Sequence, residues 1–156
     1  MKKASVIWLV LVQWVLAFEW LHSGWGKWSD PAFITNIGKT LTAFAAKNPS
    51  PWYTNFLNNT ALPHAETFGN AIRTGELSVG IVLALMGLLL LAKKRLAPAG
   101  VWIMIIALFA AALMNLNFYL AAGWTSPSTS GINVVMGLIH IVLALYYVCN
   151  RKELTS

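Results

Sequence analysis

Four of the residues best equipped for chemistry in this chain come as pairs. Glu19 and His22 are three apart, as are Arg73 and Glu76, and residues three apart share a helix face. Lys27, the amides Asn115, Asn117 and Asn133, and His140 complete the polar set. Glu19-x-x-His22 matches half of the carboxylate–histidine motif that holds paired metals between helices. No second copy exists, so no metal is expected. His22 and His140 fall at different depths in the spans read below, so a shared haem is not expected either. The lone Cys149 can make no internal disulfide, which argues against a disulfide-generating quinone reductase. No phosphate-binding glycine loop, dinucleotide fingerprint or serine nucleophile elbow occurs.

Each residue also has a plainer use. Arg73 and Glu76 can form an interfacial ion pair, and Glu19 and His22 a packing hydrogen bond. Lys27 can snorkel to headgroups. The asparagines can join helices, and His140 can be a satisfied core histidine. His64 and Glu66 read as solvated loop or cap residues. Against these stands a general rule: a carboxylate inside a membrane is a functional candidate.

Whether these groups meet depends on the helices that carry them. The chain has 156 residues, 58% hydrophobic and only 10% charged, against about 25% charged in a soluble domain. Disordered, coiled-coil and disulfide-stapled classes are excluded. The composition predicts an all-α integral membrane protein, a four-transmembrane-helix bundle in one domain covering 1–156. The expected spans are about 4–22, 70–92, 98–122 and 132–149. The first could instead be a signal peptide, but it is long and tryptophan-rich and no clear cleavage site follows. Proline favours a start for the second helix near Pro63.

The net charge of +6 is grouped at Lys2 and Lys3, at Lys93, Lys94 and Arg95, and at Arg151 and Lys152. These clusters flank apolar runs, so they read as topology signals rather than a nucleic-acid face. They predict cytoplasmic N- and C-termini in a plasma membrane. The segment 24–69 then lies outside, at the periplasmic interface. Within it, Asp30-Pro31 predicts a helix start, and Phe33, Ile34, Ile37, Leu41 and Phe44 predict a short amphipathic helix on the membrane surface. Asn48-Pro49 ends it, and Ser50-Pro51 begins a further turn with Trp52, Tyr53, Phe56 and Leu57. Glu19, His22, Lys27, Arg73, Glu76 and the asparagines then gather at the outer helix ends, over a deeper His140. Small residues, Gly80, Ala84 and Gly87 on one span and Gly137 and Ala144 on another, allow close approach. The expectation is a polar pocket open to the outside and floored by His140.

Several stretches resemble the DoxX/DoxD family of membrane proteins. Leu21-His22-Ser23-Gly24-Trp25-Gly26-Lys27-Trp28 is similar to its "hG..K" signature. Residues 48–89, with Pro-Trp-Tyr, a Phe-Leu turn, a proline-containing helix start and Gly-Glu before a glycine-rich span, match most closely. Met114-Asn115-Leu116-Asn117-Phe118-Tyr119-Leu120-Ala121-Ala122-Gly123 resembles its asparagine-rich end of the third span. The resemblance implies the membrane subunit of a thiosulfate:quinone oxidoreductase, which joins two thiosulfates into tetrathionate and passes two electrons to quinone. Carry-over reaches His22, Lys27, Glu76, Asn115 and Asn117. On that reading Glu76, Glu19 and His22 are catalytic, the carboxyls supplying protons. Arg73, Lys27, Asn115, Asn117 and Asn133 bind the small sulfur anion, and His140 with tryptophan faces holds the quinone. Nothing in the chain is an obvious electron carrier, so a second redox subunit is a candidate partner, with lipid and a homo-oligomer as further ones. The alternatives are a non-enzymatic anchor or organising subunit that docks a redox partner through Phe33–Phe44, and a small-molecule transporter. Transport would need a path through inner halves that look uniformly apolar.

Overall fold

The computed structural model describes residues 3–92 and 96–155, with side chains from residue 6 onward. These residues are almost wholly helical, with no strand among them. The order is α1 (Lys3–Ser29), α2 (Phe33–Lys47), α3 (Pro51–Phe56), a π turn (Leu57–Ala61), a 3-10 turn (Leu62–His64), α4 (Ala65–Leu91), α5 (Pro98–Ala122) and α6 (Pro127–Thr155). Four helical stretches are long and apolar enough to cross a membrane: Val6–Ser29, Pro51–Leu91, Pro98–Thr125 and Pro127–Thr155.

Local chemistry sets the boundaries. Pro51 and Pro98 sit at helix starts, where a missing N–H costs nothing. Pro127 begins α6 behind Ser126, whose Oγ accepts from the Thr129 N–H at 3.0 Å. The Asp30-Pro31 start falls two residues later than expected. Asp30 Oδ1 instead accepts from the Ala32 N–H at 2.8 Å in an Asx turn, and α2 begins at Phe33. Span one continues past its expected end near residue 22 to Ser29.

α1 packs antiparallel on α4, and α5 on α6, with α4 joining the two pairs. Glycine permits the first contact. A Cβ on Gly24 would stand 2.7 Å from the Leu77 N, and one on Gly80 would stand 2.8 Å from the Leu21 N. Neither position has room for a side chain, so the backbones meet there. Polar side chains close the bundle between α1 and α6. Gln13 donates to the Leu83 carbonyl and accepts from the Tyr147 hydroxyl. Trp20 Nε1 donates to His140 Nε2 at 2.9 Å.

Two apolar cores result. One fills the bundle around Leu83, Met104, Leu108 and Ala144. The other lies beneath α2, where Ile37, Leu41 and Ala45 pack against Tyr53, Leu57 and Ala61. The four long helices also expose large apolar side chains outward, among them Val15, Leu85, Ile106 and Val142. Water would not support so much apolar surface, whereas a bilayer matches it. The start of α1, the end of α4 and the last turn of α6 share one end of the bundle, where the Leu96 N–H bonds to the Leu154 carbonyl at 3.1 Å. Arg151 is exposed at this end. The clusters at Lys2, Lys3 and Lys93–Arg95 lie outside the described residues or side chains.

Candidate functional site

At the other end, α2 and α3 cover a cavity of about 340 Å³. Its wall carries six aromatic rings, from Phe33, Phe44, Tyr53, Phe56, Phe68 and Phe118. Among the described residues, the charged groups in its lining are Lys27 and Glu76. Glu76 is 1% exposed, and Lys27 Nζ donates to both its oxygens, at 2.7 Å to Oε2 and 3.0 Å to Oε1. Ser23, one turn back on α1, accepts from the same ammonium at 2.7 Å. The glycine contact explains how the pair forms. Gly24 against Leu77 draws α1 close beside the residue next to Glu76, so a lysine one turn further reaches the carboxylate.

This pairing corrects the local expectation. Arg73 is not the partner of Glu76 among the described residues. Its guanidinium lies 4.1 Å from the Trp28 ring centre, and its Nε is buried without a hydrogen bond. Three residues along a helix is near enough, but the side chain turns to the indole face instead. Lys27, 27% exposed, points inward rather than only to headgroups.

The asparagines divide. Asn117 lines the cavity and accepts the Tyr53 hydroxyl on Oδ1 at 3.1 Å. Asn133 lines it too, with its amide donating to the Thr129 carbonyl at 2.8 Å. Asn115 is buried but lines a separate outer groove of about 490 Å³ between α5 and α6, which Asn133 also touches. His140 is not the cavity floor. It is fully buried below it, with Nδ1 2.6 Å from the Met136 carbonyl and Nε2 accepting from Trp20. Both ring nitrogens are used, which sets the neutral tautomer with the proton on Nδ1. Glu19 and His22 are exposed on the outer surface of α1 and do not line the cavity, and His22 stacks on Phe18.

Three contributors escaped the sequence reading as site residues. Ser23 is the second acceptor of Lys27. Tyr53, read as an interfacial aromatic, is buried and bonds Asn117. Asn48, read as a helix stop, donates to the Leu120 carbonyl at 2.8 Å and pins the segment after α2 to the end of α5. The Pro-Trp-Tyr and Asn-Pro motifs were the available signals, but they name no partner.

Chemically, the cavity suits a flat apolar body with one or two hydrogen-bonding oxygens. Its paired charges cancel, so it offers little to a free dianion. Fold and site together define a protein whose described residues are almost wholly helical, with four helices long and apolar enough to cross a membrane and an apolar cavity beside a buried ion pair. Comparison with protein-family models, curated proteins and solved structures found no match for this chain.

Proposed function

We propose that this chain is a quinone-reactive subunit of a DoxX/DoxD-type membrane oxidoreductase, with the cavity beneath α2 receiving the quinone ring. The supporting observation is the aromatic-walled cavity with Lys27 and Glu76 at its polar side. Its size and lining fit a quinone head. Aromatic side chains would hold the ring faces, and the second amide hydrogen of Asn133 would donate to a carbonyl oxygen. The quinone supplies the two-electron acceptor. Glu76, after taking a proton from the aqueous side, would pass it to the ring oxygen and return to the carboxylate that Lys27 holds, and Ser23 would keep the ammonium in place as the carboxyl changes charge.

The electron donor in this reading is thiosulfate. Two thiosulfates each lose one electron and join through a new sulfur–sulfur bond as tetrathionate. The two electrons, with two protons, convert quinone to quinol. The neutral charge balance of the cavity puts the anion elsewhere. Arg73, one turn from Glu76, outside the cavity lining and with Nε unbonded, is the cation that would receive it, and a second subunit would complete that site. In this reading the cavity opens on the outer face of a plasma membrane, the side that the basic clusters favour, with the apolar outer side chains against lipid.

The test is thiosulfate-dependent reduction of a soluble quinone analogue by the protein in lipid nanodiscs, alone and with candidate partner subunits. Glu76→Gln is expected to lower turnover about 100-fold, the scale of a lost general acid, while the protein still inserts. Unchanged turnover removes Glu76 from the reaction. One observation favours a second reading, the anchor subunit: both Glu76 oxygens are already satisfied by Lys27, as in a packing pair. No quinone bound to well-folded protein would select that reading.

A further inference from the structure

Glu19 stands where a membrane makes an open carboxyl costly. The next residue, Trp20, reaches the fully buried His140 within α6. α1 continues to Ser29, about 15 Å further along at 1.5 Å per residue. Glu19 is thus well inside the helix rather than at its end. Its side chain is exposed, and among the described residues it has no hydrogen-bond or ion-pair partner. The side chains around it are apolar and open, with Val15 71% and Phe18 68% exposed. Ionisable groups within spans face a bundle interior, a watery cavity or a partner. Within a single copy Glu19 faces none of these.

The surface around it has the pattern of self-recognition. Trp8, Val15, Glu19, His22 and Gly26 follow at steps of seven, four, three and four, so they form one stripe along the outside of α1. At Gly26 nothing stands within 4 Å of the position a Cβ would take, so the surface there is free for close approach. The stripe carries an acceptor, the Glu19 carboxyl, and one turn away a donor, the His22 imidazole. In a two-fold interface, if residue i of one copy meets j of the other, then j meets i. Two copies side by side would therefore satisfy Glu19 and His22 twice, each against its opposite in the second copy.

We infer that α1 is the interface of a parallel homodimer, closed by two reciprocal Glu19–His22 hydrogen bonds. This rests on the membrane-spanning reading and not on the quinone reading. It gives both residues work as positioning groups at a subunit contact.

Energy transfer between copies labelled at the exposed Cys149 tests this in liposomes. Wild-type copies should transfer energy well above the level of random proximity. Glu19→His and His22→Glu each leave like groups facing each other, and each should weaken association about tenfold or more, two interhelical hydrogen bonds being lost. Mixing the two single variants restores opposite pairs, and so does the double variant Glu19→His/His22→Glu; both should recover association. A folding defect would not be rescued by mixing. Wild-type protein that resists an alkaline wash yet stays monomeric overturns the dimer alone and leaves the stripe to another subunit. Association that survives both single variants also overturns it. Protein stripped from the membrane by the wash overturns the spanning reading and the dimer together.

Discussion

At the scale of single residues, the pair Lys27–Glu76 carries the most weight. Glu76 is almost fully enclosed, so its charge is tolerated only with Lys27 in place. Lys27→Met should destabilise the protein by about 2–3 kcal/mol, below the full cost for a wholly buried pair because the lysine is partly open. Adding Glu76→Gln should recover more than half of that loss, read from thermal unfolding of the single and double variants. Equal loss in both would mean that Lys27 acts through packing alone. Glu76 was legible in the sequence as an intramembrane carboxylate. Its partner was not, because a contact between positions 27 and 76 leaves no mark on local spacing, whereas Arg73 lies a turn away. His140 was legible as a candidate for the core or a site, and only its two ring contacts show that neither nitrogen is free. Trp20→Phe would leave Nε2 buried without its donor and should cost about 1–2 kcal/mol in stability; an unchanged melting temperature would contradict the contact.

At the scale of elements, close approach and one clamp decide how the cavity is held. Gly80→Val puts a branched side chain where the Leu21 backbone already stands, so it should part α1 from α4 and lower stability by several kcal/mol. Gly131, in α6 with open space around it, is the control: Gly131→Ala should be neutral or stabilising by up to about 1 kcal/mol. Comparable melting temperatures for the two variants would exclude a tight α1–α4 contact. Asn48→Ala removes the tie to the Leu120 carbonyl, so amide exchange in α2 and α3 should quicken while α5 and α6 keep their protection. Uniform exchange across the chain would show that the clamp is dispensable. The four long helices could be read from apolar length because lipid demands it. The helical spacing of α2 could be read as well, but not what its apolar side would meet. Ile37 and Leu41 pack down into the cap, since Tyr53, Leu57 and Ala61 supply an apolar seat that distance in sequence concealed.

At the scale of the whole molecule, the arrangement separates an apolar-walled cavity at one end from a tightly closed bundle at the other. Gln13, Leu83 and Tyr147 tie α1, α4 and α6 together below the cavity, and the Trp20–His140 contact lies between. This closed interior suits a site entered from one side better than a transport path. The sequence predicts a polar pocket where Lys27, Glu76 and the asparagines gather; the cavity at that end of the bundle is mainly apolar, with polarity confined to a few groups. Residue types alone could not show this, because the same aromatics serve equally as interfacial anchors. The most direct measurement is photolabelling of the protein in nanodiscs with an azido-quinone, with and without excess unlabelled quinone, followed by peptide mapping. A quinone seated beneath α2 predicts competable label on Phe33–Phe56 and on the first turns of α4. Label confined to the peptide around His140, or label that excess quinone does not displace, would contradict it.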